Sequence, residues 1–291
     1  MHDARVRGRC LCGAVTYEGI GSPGRMWYCH CRECRKASGV GLGTWLEVPG
    51  VRWLSGMDHV RRFAASPAIT RAFCSLCATV LPAQRAAGDV LLPAGGLEEI
   101  GGLRPCGHAS AARRPSWMPA LGADLPALQS TGSGAASSTH GSRDPTADET
   151  TARGSCLCGA IAFEVSLPLA GMRACHCSRC RRRSGSSWFV GLTCQPGALR
   201  FERGAHAITR WHMPGTRYYA ASFCGECGAL APAVLPTGIF LAAGCLDSDP
   251  GARALCHVYY GSRAPWVEVR DGLPRFDEFA PADFNWQRSR P

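Results

Sequence analysis

The sequence predicts a mainly β protein made of two tandem domains with few, short helices. Short runs rich in β-branched or aromatic residues are typical of strands, and no long stretch of the 291 residues keeps a helical period. The runs are GAVTYE, GAIAFE, SSWFVGL and RYYAASF. One short helix is expected to start near Ser178 and to end at Gly185, because glycine is a common stop signal.

The tandem organisation follows from a repeat that runs through the chain. CLCGAVTYE from Cys10 returns as CLCGAIAFE from Cys156, and CHCRECRKASG from Cys29 returns as CHCSRCRRRSG from Cys175, both 146 positions later. A repeated unit of about 130 residues has the size of a domain and is much longer than a solenoid repeat. The two halves are therefore expected to be two copies of one domain.

The repeat continues to a third motif, since FCSLC, which ends at Cys77, returns as FCGEC, which ends at Cys227. Between the halves, residues 129–152 contain almost no large apolar side chain, and such a segment cannot bury enough surface to order itself. The sequence therefore predicts a first domain over 1–128, a flexible linker over 129–152 and a second domain over 153–291.

Charge and hydropathy exclude several classes of protein. The N-terminus has arginines where a secretion signal needs an apolar run. The longest uncharged run, 228–246, is broken by Pro and Gly, so it predicts two buried strands and not a membrane span. We therefore expect a cytoplasmic protein with no membrane partner. The net charge of +10 comes from arginine, since Lys36 is the only lysine, and an anionic partner or GC-rich codon usage would account for it.

The 18 cysteines indicate metal binding, because the cytosol keeps thiols reduced and CxC and CxxC spacings are typical of metal ligands. Seven of the cysteines recur in each half. Seven is the number of ligands that one closed four-thiolate zinc site and one three-ligand site with an open position require together. CxC on a strand directs both sulfurs to one face, and CxxC in a turn brings two sulfurs together, so two such pairs close one site. The predicted structural zinc ligands are Cys10, Cys12, Cys74 and Cys77 in the first half and Cys156, Cys158, Cys224 and Cys227 in the second.

The CxCxxC motifs supply the remaining ligands, because their three sulfurs are too close in sequence to reach two metals. The predicted ligands of two open zinc sites are Cys29, Cys31 and Cys34, and Cys175, Cys177 and Cys180. Such a site carries a charge of about −1 and suits an incoming thiol. The expected cofactor is therefore Zn²⁺, with two ions per domain and four per chain. The alternative is that all of the metal is architectural, although the odd number of ligands argues against it.

Arginines and histidines surround both CxCxxC motifs. Three roles are open to these arginines: they offset the charge of the cluster, they hold carboxylates of a substrate, or they form a solvated basic face. If they bind substrate, Arg179 and Arg181 are the candidate residues. On an extended backbone His30 and His176 point away from their flanking sulfurs, so we expect them to be packed or hydrogen-bonded and not to be ligands. Structural roles are also expected for His108 and His257, and burial as small apolar side chains for Cys106, Cys194, Cys245 and Cys256.

The series GxCxCG, CHCxxCR and FCxxCG resembles the family of glutathione-dependent formaldehyde-activating enzymes, which also includes the domain of centromere protein V. The segments that match these motifs are RGRCLCGAV, CHCRECRKASG and FCSLC in the first half, and RGSCLCGAI, CHCSRCRRRSG and FCGECG in the second. The resemblance covers nearly everything outside the linker. It implies layered antiparallel sheets with one closed zinc site and one three-cysteine zinc site in each domain.

The resemblance also implies an activity, the addition of glutathione to formaldehyde by a carbon–sulfur lyase-type enzyme, like S-(hydroxymethyl)glutathione synthase. The expected partners are then a small thiol such as glutathione and a small aldehyde. Nucleic acid is not expected, because the arginines do not interleave with aromatic residues. The alternatives are a non-catalytic zinc-stabilised binding module and a redox or metal-handling protein. Because Ala78 stands where the second half has Gly228, we expect the second domain to hold the better-kept site.

Overall fold

The computed structural model of the protein describes residues 6–98, 100–129, 150–217, 219–236 and 238–286. It is mainly β with two short α-helices, which confirms the predicted fold class. Most of the predicted linker, residues 130–149, lies outside the described residues, and its last two residues already belong to a strand that begins at Thr151. No helix in the described ranges is long and apolar enough to cross a membrane.

The first domain is built from short strands and one helix that follows its third strand. The strands are β1 (Arg7–Arg9), β2 (Thr16–Ile20), β3 (Met26–Cys29), β4 (Gly43–Val48), β5 (Gly50–Ser55), β6 (Val60–Ser66), β7 (Ile69–Cys74), β8 (Val80–Arg85), β9 (Val90–Pro93), β10 (Pro105–Ala109) and β11 (Ala127–Leu128). The α-helix is α1 (Arg32–Ser38), and 3₁₀ helices cover Met57–His59, Ala94–Gly96 and Ala111–Arg113.

The second domain repeats this order of elements, but among its described residues no strand corresponds to β11. Its strands are β12 (Thr151–Ser155), β13 (Ala162–Ser166), β14 (Ala170–Cys175), β15 (Phe189–Cys194), β16 (Leu199–Arg203), β17 (Ile208–His212), β18 (Ala220–Cys224), β19 (Ala233–Leu235), β20 (Gly238–Ala242) and β21 (His257–Val258). The α-helix is α2 (Ser178–Ser184), and 3₁₀ helices cover Ala205–Ala207, Ala243–Cys245 and Tyr260–Ser262. The helix predicted near Ser178 is confirmed, and Gly185 ends it with a left-handed φ of 66°.

The sheets of the two domains differ in one respect that matters for the site. In the first domain β1, β2 and β5 form a small sheet, and the other strands form one large sheet in the order β11-β10-β3-β4-β9-β8-β7-β6. In the second domain β12, β13 and β16 form the small sheet, but the hairpin β17-β18 is separate from the sheet β19-β20-β15-β14-β21. Neighbouring strands are antiparallel except where β10 meets β3 and β11, and where β14 meets β21.

The separation lies between β18 and β19, whose counterparts β7 and β8 pair in the first domain. There Ala72 pairs with Leu81 and Phe73 with Val80. In the described part of the second domain, Phe223 forms only an isolated bridge to Leu230. The second domain therefore has an opening where the first has a continuous sheet.

The two domains contact each other through two equivalent pairs of glycines. The amide N–H of Gly244 donates to the carbonyl of Gly39 at 3.0 Å, and the amide N–H of Gly95 donates to that of Gly185 at 3.1 Å. Each bond joins the end of one α-helix to a 3₁₀ helix of the other domain. A Cβ atom on Gly95 would lie 2.2 Å from the carbonyl oxygen of Ser186, so only glycine fits this approach.

Lys36 adds a polar contact to the same interface. Its side chain is 0% exposed, and its ammonium group donates to the carbonyl oxygens of Ser155 at 2.8 Å and Cys245 at 2.6 Å. The carboxylate of Asp247 lies 2.8 Å from it. Because one cluster of buried apolar side chains also runs through both domains, the domains form one packed unit.

We expect Gly244→Val to weaken this docking. A Cβ on Gly244 would lie 2.5 Å from the backbone of Gly39 and Val40, and overpacking of this kind costs about 1–3 kcal/mol. Scanning calorimetry should show a lower unfolding temperature and two transitions in place of one. Gly272→Val is the matched control, since nothing lies within 4 Å of its Cβ position. A single transition at the wild-type temperature for Gly244→Val would contradict the docked arrangement.

Candidate functional site

The two predicted four-cysteine sets are each brought together in the structure. In both sets the four sulfur atoms lie within 4.8 Å of one another. Cys10 and Cys12 are 3.3 Å apart and Cys12 and Cys74 are 3.8 Å apart, while the corresponding distances in the second domain are 3.4 and 3.7 Å. A tetrahedral zinc with Zn–S bonds of about 2.3 Å separates its sulfurs by about 3.8 Å. Both clusters thus have the donor set and the spacing that zinc requires.

The two CxCxxC motifs also gather their sulfurs, each at the start of an α-helix. All three sulfurs of each motif lie within 4.8 Å of one another. Cys31 and Cys177 precede α1 and α2, and each accepts a backbone N–H bond from the third cysteine of its motif at 3.4 Å. The first helical turn therefore brings the third sulfur back toward the strand that carries the first one.

The first three-cysteine cluster is sealed. Its cysteines are between 0% and 2% exposed. The indole N–H of Trp45 donates to the sulfur of Cys34 at 3.2 Å, and the guanidinium of Arg71 donates to the same sulfur at 3.1 Å while it stacks on Trp45. Hydrogen bonds from Cys29 and Cys31, together with Arg71 and Trp45, hold the pKa of Cys34 well below its ordinary value. These two side chains occupy the space that a substrate would need.

The second three-cysteine cluster is open. By the repeat offsets of 146 and 150, Gly191 stands in place of Trp45 and Ala221 in place of Arg71. A cavity of about 280 Å³ lies there, between β18 and the five-stranded sheet, and its lining includes Cys175 and Cys180. The same fold thus carries a filled site in one domain and a cavity in the other.

Both segments that contain these clusters match one family of proteins. The family model described as "Glutathione-dependent formaldehyde-activating enzyme" matches residues 5–111 and 151–262. The chain belongs to this family. The two matched segments are two tandem copies of its domain. A search of curated proteins finds no match.

A solved crystal structure of a Rhodobacter sphaeroides protein is also similar to part of the chain. The similarity covers 42% of this chain and 99% of the other, with 17% sequence identity and a TM-score of 0.28. A TM-score this low carries no argument about the fold or the activity.

In this member of the formaldehyde-activating family, the arginines that line the cavity are not the two that the sequence suggested. Arg179 is exposed, and Arg181 donates to the carbonyl oxygens of His176 and Ser262, both at 3.1 Å. Neither lines the cavity, whereas Arg173 and Arg183 do. Periodicity could have identified them, because Arg173 lies two residues before Cys175 on a strand and Arg183 lies three residues after Cys180 on a helix.

The histidines of both CxCxxC motifs are buried and bonded to a second histidine. Nε2 of His30 is 2.9 Å from Nδ1 of His108, and Nε2 of His176 is 2.9 Å from Nδ1 of His257. Burial and the neighbouring ring lower the pKa of His30 to about 4 and that of His176 to about 3, so both are neutral near pH 7. The predicted hydrogen-bonded role of these histidines is confirmed.

The histidine pairs end on different acceptors. In the second domain Nε2 of His257 is 3.1 Å from both carboxylate oxygens of Asp271, whereas in the first domain Nε2 of His108 is 2.9 Å from the carbonyl oxygen of Gly122. A carboxylate fixes the ring tautomer and its orientation more strongly than a carbonyl does. The histidine pair beside the open cluster is therefore held by a carboxylate, whereas the pair beside the sealed cluster is held by a backbone carbonyl.

Four cysteines lie outside the clusters, and three of them are wholly or partly buried. Cys245 and Cys256 are buried, as predicted, and Cys194 is half-buried. The prediction was wrong for Cys106, which is exposed. Cys106 is the one exposed residue of β10, whose other four residues are buried.

Proposed function

We propose that the protein is a zinc-dependent enzyme of the carbon–sulfur lyase type, whose second domain joins a small thiol to an aldehyde. The observation that carries this proposal is the cavity that opens onto Cys175 and Cys180, two of three thiols grouped for one metal ion. The first domain lacks a corresponding opening among the described residues that surround its cluster. A single working site per chain is the consequence.

The residues present suit Zn²⁺. All-thiolate sites favour zinc or iron over hard cations, and we propose four zinc ions, one for each cysteine cluster. The ligands would be the fourteen cysteines predicted from the sequence. When bound at Cys175, Cys177 and Cys180, zinc supplies a fourth position for a substrate sulfur and lowers the pKa of that thiol.

The reaction forms one carbon–sulfur bond. The thiol sulfur adds to the aldehyde carbon, the carbonyl π bond breaks, and the thiol proton ends on the former carbonyl oxygen, so the product is a hemithioacetal. Tyr219 lines the cavity, and burial raises the pKa of its phenol well above the ordinary value. It therefore remains protonated and can donate a hydrogen bond to the carbonyl oxygen as charge develops there.

A second function, that of a structural zinc module, applies to the first domain alone. The observation that favours it is the contact of Trp45 and Arg71 with Cys34, which neutralises the cluster and leaves no space beside it. Hydrogen bonds of this kind to metal ligands strengthen metal binding about 10–100-fold. The first domain would then stabilise the chain and support the second through the docked interface.

Native mass spectrometry of the purified protein tests the proposal. We expect four zinc ions per chain and, with a saturating small thiol such as 2-mercaptoethanol added, one thiol adduct per chain. Two adducts would contradict the single working site. Four zinc ions without any adduct would contradict the enzyme and favour a zinc-stabilised binding module.

A further inference from the structure

The cavity of the second domain is far larger than formaldehyde requires. Its volume of about 280 Å³ corresponds to roughly nine water molecules at about 30 Å³ each. Formaldehyde has two non-hydrogen atoms, so it would leave most of this volume to another group. The cavity thus has room for a thiol substituent of considerable size.

The wall of the cavity is mostly apolar. Phe189 and Phe240 stack with ring centroids 5.7 Å apart, and the lining also includes Leu230, Leu235 and Phe279. Apart from the cysteines, the polar side chains that line it are Arg173, Arg183, Tyr219, Ser222 and Tyr259. Removing apolar surface from water yields about 25 cal/mol per Å², so this wall favours an aromatic or branched aliphatic group. It offers few partners to the amides of a peptide such as glutathione.

Both arginines occupy fixed positions beside the cluster. The guanidinium of Arg173 lies between 5.4 and 5.7 Å from the ring centroids of Phe240, Phe279 and Trp286. Arg183 is 6% exposed, and in the described part of the chain no carboxylate pairs with either arginine. Two positive charges therefore line the same largely apolar cavity as Cys175 and Cys180.

The charges indicate how much negative charge the ligand brings. Three thiolates and a divalent ion sum to about −1, and Arg173 and Arg183 change the sum to about +1. One incoming thiolate neutralises the site. Glutathione carries two carboxylates and one ammonium besides its thiol, so its thiolate form would leave an excess negative charge in an apolar cavity. The first domain follows the same rule, because Arg71 alone balances a cluster that admits no ligand.

We propose that the substrate thiol of the second domain is an apolar one, with an aromatic or branched aliphatic group and no charge besides its sulfur. This inference rests on the proposed function and specifies its substrate class. The thiol sulfur lies at Cys175 and Cys180, and its apolar group lies along Phe240 and Leu235.

Thiol binding to the cobalt(II)-substituted protein tests this class, since visible absorption reports ligands that enter the metal site without any turnover. The probes are 2-phenylethanethiol, 2-mercaptoethanol and glutathione. We expect 2-phenylethanethiol to bind at least about tenfold more tightly than the other two, because burial of a phenyl group exceeds the 1.4 kcal/mol that a factor of ten requires. 2-Mercapto-3-phenylpropanoic acid, which adds a carboxylate, should bind more weakly than 2-phenylethanethiol.

Leu235→Ser and Val234→Ser are the matched variants. Leu235 lines the cavity, whereas Val234 on the same strand is 59% exposed and does not. We expect Leu235→Ser to weaken 2-phenylethanethiol several-fold with 2-mercaptoethanol unchanged, and Val234→Ser to change neither. Spectral changes with all thiols but equal affinities, or tightest binding of glutathione or of the phenyl acid, would overturn the inference and leave the proposed function intact. No spectral change with any thiol would overturn both.

Discussion

Cys175→Ser is expected to abolish thiol binding and aldehyde addition, with the rate above the uncatalysed background reduced at least a hundredfold. Cys175 is one of three sulfurs that form the open cluster, and a hydroxyl is a much poorer ligand for zinc than a thiolate. Changes to residues that merely support metal ligands already cost about 10–100-fold in affinity or activity. The measurement is the rate of hemithioacetal formation with the background subtracted, together with the zinc content, which should fall from four ions to three.

The matched control is Cys29→Ser, which removes the equivalent sulfur from the sealed cluster. It should lose one zinc ion as well and lower the unfolding temperature, because a structural metal contributes folding free energy directly. Its rate per folded molecule should stay within about threefold of the wild type. If Cys29→Ser abolished the activity and Cys175→Ser retained it, the assignment of the working site would be reversed.

Spacing along the chain was sufficient to predict the grouping of the cysteines, and short runs of β-branched and aromatic residues were sufficient to predict the mainly β fold class. The expectation that CxC lies on a strand was wrong, because residues 10–12 and 156–158 lie in turns that follow β1 and β12. The short spacing of CxC and CxxC still brings the sulfurs of each pair together. The helix after Cys177 was predictable for the same reason, since its start and its glycine stop are local signals.

Features that depend on contacts between distant segments were not predictable. Arg179 and Arg181 adjoin Cys180 in sequence, but neither lines the cavity, and Arg181 instead donates to backbone carbonyls. Trp45 on β4 and Arg71 on β7 both donate hydrogen bonds to the sulfur of Cys34. No local sequence pattern predicts that these two strands lie beside the cluster. The docking of the two domains joins glycines that are far apart in sequence, Gly39 with Gly244 and Gly95 with Gly185, and leaves no signal in either motif.

The difference between the domains leads to a further prediction, that Gly191→Trp closes the second site as Trp45 closes the first. Gly191 and Phe240 both line the cavity, and a Cβ on Gly191 would lie 2.4 Å from the end of the Phe240 ring. An indole at position 191 would therefore fill part of the cavity in which we propose that the substrate binds. We expect thiol binding and aldehyde addition to fall at least about fiftyfold, a change that corresponds to roughly 2.3 kcal/mol. The zinc content should remain at four ions, because no ligand is changed.

Retained zinc distinguishes this variant from Cys175→Ser, since it separates loss of the cavity from loss of the metal site. Val234→Trp is the matched control, because it adds the same side chain to an exposed position of the same domain. It should leave binding and activity unchanged. An active Gly191→Trp protein with four zinc ions would show that substrate reaches the cluster by another route, and the open cavity would then no longer explain why only one domain works. Loss of activity with the metal retained would mean that this one glycine-to-tryptophan difference is sufficient to turn a substrate site into a structural one.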